Sequence, residues 1–135
     1  MRKAIIILLT ALLGLSSCVK QAETDVFCSL SLTAVMPDGS NIMQMTVDNT
    51  LPGNFIRNVN TMQRYDFPVF VNNHGGPLRV RKGVYTIAFD ALARIAESSG
   101  LVEKKVRFVA YSSPDNAIEL TGDSADVELK LIELE

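Results

Sequence analysis

Residues 26–35 decide the fold class, and they read Val26-Phe27-Cys28-Ser29-Leu30-Ser31-Leu32-Thr33-Ala34-Val35. Apolar side chains occupy every second position of this stretch, and serine and threonine fill most positions between them. Successive side chains of a β-strand point to opposite faces, so the alternation predicts a strand with one buried and one solvated face. Cys28 falls on the apolar face, where we expect a buried, unpaired thiol.

The same period of two returns near the end of the chain, in residues 125–134. Val127, Leu129 and Leu131 alternate there with charged side chains, which predicts a full closing strand. Just after the first strand, Asp38-Gly39 is a turn signal, since glycine takes the positive φ that tight turns need. We therefore expect the first strand to form a hairpin with a strand at residues 42–47.

Prolines and glycines divide the middle of the chain. Residues 64–71 alternate around Pro68, which predicts a strand at a sheet edge or with a bulge, because proline cannot donate to a ladder. Residues 72–77 predict a loop, and short strands are expected at residues 78–81 and 117–120. The pattern of residues 55–62 favours no single structure.

Residues 83–96 have two interpretations. Tyr85, Ile87 and Phe89 begin a period of two that continues to Ile95 and favours one long strand, returning after a turn at residues 97–100. Alternatively, Asp90 caps a short helix over residues 90–97, since the following residues are good helix formers. We favour the long hairpin, because the helix would be isolated in an otherwise all-β chain.

About seven strands follow from this pattern, with turn signals roughly every ten residues. This spacing is typical of an all-β, antiparallel β-sandwich of immunoglobulin-like or transthyretin-like type. Residues 77–87 read Pro77-Leu78-Arg79-Val80-Arg81-Lys82-Gly83-Val84-Tyr85-Thr86-Ile87. Their Gly-x-Tyr-x-hydrophobic pattern resembles a strand of transthyretin-like domains in exported bacterial lipoproteins. That family includes anchors associated with fimbriae and with outer-membrane nutrient uptake.

The first 17 residues have the layout of a cleaved secretion signal. Arg2 and Lys3 precede a short apolar run, too short for a membrane-spanning helix, and Leu15-Ser16-Ser17-Cys18 follows. This ending resembles the lipobox of bacterial lipoproteins, which implies cleavage before Cys18 and lipidation (palmitate among the acyl chains) of that cysteine. Membrane attachment through lipid on Cys18 is therefore expected.

The expected organisation is a signal peptide at residues 1–17, a lipidated tether at 18–25 and a β-sandwich domain at 26–135. Val19 follows the cysteine where some inner-membrane lipoproteins carry aspartate, which favours the outer membrane. Glu23 and Asp25 faintly resemble the acidic stretch linked to surface display in Bacteroidetes-type lipoproteins. We expect a location in the cell envelope, on the periplasmic or surface face of the outer membrane.

Charge and composition exclude several function classes. Without residues 1–17, eleven Lys and Arg face fifteen Asp and Glu, so the net charge is −4. This argues against a nucleic-acid partner and against electrostatic adhesion to an anionic membrane. Within the 135 residues, His74 is the one histidine, and it has no Ser or Cys motif beside it, so we expect no enzyme, no cofactor and no metal site.

Two function classes remain from the sequence. The first is a structural or protein-interaction module with an envelope protein as partner, because exposed strand edges are templates for another strand. The second is a ligand-binding lipoprotein of an uptake system, for a glycan or nutrient. Carbohydrate binding usually needs exposed aromatic rings, and Tyr65 and Tyr111, both near loops, are the candidates for that role.

Overall fold

The computed structural model describes residues 26–109 and 117–135, and within them the chain forms strands and no helix. The all-β prediction is confirmed. The predicted signal peptide, the predicted tether, Cys18 and Tyr111 lie outside the described residues. The strands are β1 (Phe27–Val35), β2 (Ile42–Val47), β3 (Phe55–Asn58), β4 (Arg64–Tyr65), β5 (Phe70–Val71), β6 (His74–Arg81), β7 (Gly83–Glu97), β8 (Gly100–Val109), β9 (Ile118–Leu120), β10 (Ser124–Lys130) and β11 (Ile132–Leu134).

These eleven strands join in one open, mixed sheet, in which the main order is β10-β1-β6-β5-β2-β7-β3-β4. Strand β8 pairs with β7 and β11, and β9 pairs with β7. The sequence predicts about seven strands with antiparallel pairing throughout, and both points need correction. The structure has eleven strands, four of them of only two or three residues, and β1 pairs with β10 in parallel, from Ser29 with Ser124 to Val35 with Lys130. Such a pair needs a long connection, which the rest of the domain supplies.

The predicted hairpin of β1 with β2 is wrong, although its turn exists. The amide of Gly39 donates to the carbonyl of Met36 at 3.0 Å, and Gly39 takes a φ of 77°. However, β1 pairs with β6 and β10, one on each side, so no edge of it is left for β2. The chain crosses instead to β2, which pairs with β5 and β7.

The predicted loop at residues 72–77 is also wrong, because the turn is confined to Asn72 and Asn73. Both asparagines have positive φ, 49° and 71°, and they join β5 directly to β6 at His74. Two asparagines suit this tight turn because asparagine tolerates left-handed backbone. Pro68 interrupts the strand predicted around it, leaving β4 and β5 as separate two-residue strands.

The long strand predicted at residues 83–96 is confirmed, and the helical alternative for residues 90–97 is wrong. Strand β7 runs over fifteen residues and pairs with β8 from Ala88 opposite Val109 to Glu97 opposite Gly100. Tyr85, Ile87 and Phe89 are buried along one face, as the period of two requires.

A single hydrophobic cluster receives side chains from strands that lie far apart in the sheet order. Leu30 and Leu32 of β1 lie in the same cluster as Ile87 and Phe89 of β7. Phe89 is its aromatic centre. Its ring centroid lies 4.9 Å from that of Phe67, edge-on, and 6.4 and 6.1 Å from those of Phe70 and Phe108.

Cys28 is buried in this cluster with a free thiol, as predicted. Burial raises the pKa of the Cys28 thiol, so the reactive thiolate is disfavoured. We expect a thiol reagent to label Cys28 slowly in the native Cys18→Ala chain and rapidly after unfolding, as followed by mass spectrometry. Adding Ser29→Cys, one residue along on the exposed face, supplies a control thiol that labels rapidly in the native state. Equal native rates for the two thiols would contradict the burial.

Candidate functional site

A groove of about 350 Å³ lies on the outer face of the sheet, over β2, β7 and β8. The strand register brings its lining residues side by side, because Thr46 pairs with Leu92, Leu92 with Lys105, and Lys105 with Leu134 of β11. Thr46, Leu92 and Lys105 point away from the core, since their neighbours along each strand are buried or half-buried, and Leu134 lies beside Lys105 on β11. The groove therefore has the apolar side chains of Leu92 and Leu134 with the ammonium of Lys105 between them.

Carboxylates border this groove. Asp90 accepts two hydrogen bonds from Arg107, at 2.7 Å from Nε and 3.0 Å from Nη2, across the β7–β8 pair. These bonds lower the pKa of Asp90, so it stays ionised well into acid. Asp48, at the end of β2, has a lowered pKa because the hydroxyl and amide of Thr50 donate to it. The groove thus combines an apolar floor with charges of both signs, which suits a small amphiphilic ligand.

A second candidate site is the outer edge of β10, which among the described strands pairs only with β1. Ser29 donates to the carbonyl of Asp123 at 2.8 Å, and Leu131 donates to the carbonyl of Val35 at 2.9 Å. In a parallel ladder, the amide and carbonyl of every second residue point towards the same neighbouring strand. Since Asp123 and Leu131 both bond to β1, the odd-numbered residues of β10 between them also bond to β1. The amides and carbonyls of Asp126 and Glu128 therefore point away from β1, towards the open edge.

A row of polar side chains leads across the sheet to this edge. The hydroxyl of Thr33 on β1 lies 3.2 Å from Nδ1 of His74 on β6 and donates to Asp126 Oδ1 on β10 at 3.1 Å. The threonine lies between the histidine and the acid. In a catalytic triad, by contrast, the histidine lies between the nucleophile and the acid. The row therefore tethers the edge strand to the sheet and does not have the arrangement of a nucleophile with its base.

The predicted site residues do not come together. Tyr65 is half-buried, with its ring centroid 6.2 Å from that of Tyr85 and its hydroxyl accepting a hydrogen bond from the amide of Arg81 at 3.2 Å. It lies apart from the groove residues. Tyr111 and Cys18 fall outside the described residues. In residues 26–109 and 117–135, no group of three or more His, Cys, Asp or Glu is placed to hold a metal ion.

Sequence reasoning missed the groove, although one signal for it was present. The outward positions of β7 include Asp90, Leu92 and Arg94, and Leu92 is the apolar exception among charged neighbours. An isolated exposed leucine is common, so this signal was weak by itself. The partner positions on β8 and β11 follow only from the register.

Comparison with known proteins provides no relative. No protein-family model, no curated protein and no solved structure matches the chain. The part of the chain that the structure describes contains no helix of the length and apolar character needed to cross a membrane. The fold and its two candidate sites therefore define the class, an all-β domain with an open strand edge.

Proposed function

We propose that this protein is a lipid-anchored lipoprotein of the bacterial envelope, and that its domain is a structural, protein-interaction module rather than an enzyme. The single observation that carries the interaction role is the open edge of β10. The leader ending in Cys18 supports the anchor and a place at the outer membrane or cell surface.

The edge of β10 suits another strand for two reasons. It is seven residues long, enough for three or four backbone hydrogen bonds to a partner strand. Ala125 and Val127 are also only half-buried at this edge, whereas Leu129 is fully buried. A strand added beside β10 would cover those apolar side chains and satisfy the outward amides of Asp126 and Glu128.

We also propose that the sheet closes over its core as a sandwich of transthyretin-like or immunoglobulin-like type. The shared cluster of β1 and β7 side chains supports this proposal. So does the final segment, which pairs with β1 through β10 and then, past Leu131, with β8 through β11. A strand that changes partners in this way links two layers of a sandwich.

The anchor is tested with Cys18→Ala. Acyl chains attached through Cys18 would hold the protein on a bilayer, so we expect the variant to lose acyl-chain label and to leave the membrane fraction or remain uncleaved. Cys28→Ala, which removes the other cysteine, is the control and should be labelled and anchored as the natural chain is. Unchanged anchoring of the Cys18 variant would contradict the lipoprotein proposal.

The edge is tested with two neighbouring proline substitutions. Glu128→Pro removes an amide that faces the open edge and leaves the ladder to β1 intact, whereas Val127→Pro removes a ladder bond. We expect a photo-crosslinker at Asp126 to capture an envelope protein in cells, and Glu128→Pro to abolish this adduct while the melting temperature stays within a few degrees. Val127→Pro should instead destabilise the domain. An adduct that persists in folded Glu128→Pro would contradict strand addition.

The alternative function is binding of a glycan or nutrient for an uptake system, and the groove at Leu92 is the observation that favours it. Calorimetry with a panel of envelope and dietary glycans tests it. Binding that Leu92→Asp removes and Leu101→Asp leaves intact would support the alternative, since Leu101 is exposed on the same face but outside the groove.

A further inference from the structure

One end of the domain gathers exposed apolar side chains that its fold does not use. Val26, Val59 and Met62 are 41%, 44% and 59% exposed. Val26 is the first described residue, and its carbonyl accepts a hydrogen bond from the amide of Lys82 at 2.7 Å. A hollow of about 290 Å³ at this end is lined by Val26, Asn58, Asn60, Thr61, Arg81 and Lys82. The end of the domain nearest Cys18 in sequence therefore includes the loop that carries Val59 and Met62.

That loop is held firmly in place. Asn58 is 2% exposed, and its side-chain oxygen accepts hydrogen bonds from the amides of Asn60 and Thr61, at 2.9 and 3.0 Å. The amide of Met62 donates to the carbonyl of Asn58 at 2.8 Å, and Met62 has a φ of 62°. A bulky residue with left-handed backbone costs free energy. Met62 therefore has an unfavourable backbone conformation, although its long apolar side chain is mostly exposed to solvent.

Two exposed arginines lie at the same end. Arg79 and Arg81 are exposed on the last residues of β6, and the guanidinium of Arg79 lies 4.1 Å from the ring centroid of Phe27. Farther along the sheet, Arg57 lies 4.0 Å from the ring centroid of Phe55, and Arg64 donates to the carbonyls of Pro52 and Asn54 at 3.3 and 2.8 Å. No carboxylate among the described residues forms a salt bridge with any of these four arginines.

The cations at this end differ in their partners. Lys82 is paired with Asp123 at 3.1 Å, whereas Arg79 and Arg81 have no ion pair with a described carboxylate. Opposite ends of the domain are well separated, because Arg94 lies eleven residues along β7 from Gly83, a span of roughly 35 Å.

We propose that this end, formed by Val26, the loop of residues 58–63 and the exposed Arg79 and Arg81 of β6, is a membrane-contact face that rests on an anionic lipid surface. The inference rests on the proposed lipid anchor at Cys18, eight residues before Val26, which holds this end within roughly 28 Å of the bilayer. The cations would meet lipid phosphates, and Val59 and Met62 would enter the headgroup region. The open edge of β10 then has a defined orientation relative to the membrane.

Vesicle sedimentation of the unlipidated mature chain, residues 18–135 with Cys18→Ser, tests the membrane-contact face without the anchor. We expect binding to vesicles of phosphatidylglycerol and phosphatidylethanolamine at least about tenfold stronger than to phosphatidylcholine, and lost in high salt. Arg79→Gln with Arg81→Gln should weaken it by about 30-fold, from about 1 kcal/mol for each cation. Met62→Asn, which keeps a residue tolerant of positive φ, should weaken it several-fold on the same vesicles.

The matched control is Arg94→Gln with Lys105→Gln, which changes the net charge equally at a distance from this face and should alter binding less than about twofold. The inference is overturned if the two double variants bind alike, if anionic and neutral vesicles bind alike, or if no binding is detected at millimolar anionic lipid. The proposed anchor is tested separately, by the loss of acyl label from the Cys18→Ala variant in cells. The vesicle experiment uses an unlipidated chain, so its result does not depend on that outcome.

Discussion

Deleting the last ten residues is expected to unfold the domain. The deletion removes most of β10 and all of β11, together with Leu129 and Leu131, which are 0% and 3% exposed. One buried side chain of this kind contributes roughly 1.5–3 kcal/mol, and a domain of this size is stable by about 5–15 kcal/mol. The loss also uncovers the edge of β1. We expect loss of the cooperative thermal transition in circular dichroism and rapid digestion by a protease.

A shorter deletion separates the two strands of this segment. Removing residues 132–135 takes away β11 and the ion pair of Glu133 with Lys104, 3.7 Å apart, but keeps β10 and Leu131. Ile132 is 55% exposed, and exposed ion pairs contribute little, so the expected loss is about 1 kcal/mol. Equal protease resistance of the ten-residue deletion and the natural chain would refute the structural role of β10.

Phe89→Ala is expected to be the most damaging single substitution of the core. Phe89 is 1% exposed, and its ring contacts three other aromatic rings. Phenylalanine-to-alanine changes in cores cost about 3–5 kcal/mol, because lost transfer energy is added to the cost of a cavity. We expect a melting temperature lower by at least about 10 °C, measured by differential scanning calorimetry.

Leu92→Ala is the control for this substitution on the same strand. Leu92 is 52% exposed on the opposite face of β7, so its truncation should change the free energy of unfolding by no more than about 0.5 kcal/mol. Similar losses in the free energy of unfolding for Phe89→Ala and Leu92→Ala would mean that the core does not lie on the Phe89 face of β7.

The proposed anchor, membrane-contact face and open edge fit one arrangement. The proposed tether leads in sequence to Val26, which lines the same hollow as Arg81 and Lys82. Strand β10 starts near the same end, since Lys82 forms an ion pair with Asp123 at 3.1 Å, just before Ser124. In this proposed arrangement, the open edge of β10 runs from the membrane-contact face towards the far end of the domain, where it is accessible to a partner in the envelope.

Local pattern was sufficient for the identity of most strands. The period of two in residues 26–35 and 83–96 is a property of each segment alone, because burial of one face requires apolar residues at alternate positions. Strands β1, β2 and β7 accordingly match their predicted positions closely. The burial of Cys28 followed from the same pattern. At Pro68 the sequence predicted an edge or a bulge within one strand, whereas the structure has two separate strands on either side of the proline.

Which strands pair with one another was decided only by the tertiary structure. A turn such as Asp38-Gly39 brings two strands near each other, but β1 is already bounded by β6 and β10, so β2 pairs elsewhere. The open edge of β10, the groove at Leu92 and the membrane-contact face all depend on such pairings. Leu92 and Leu134 are far apart in sequence and meet only because β7, β8 and β11 align in register. Sequence alone therefore determined the strongly alternating strands β1, β2 and β7 and which of their side chains are buried, whereas long-range pairing determined which surfaces remain for function, because hydrogen-bonding edges are shared by the whole sheet.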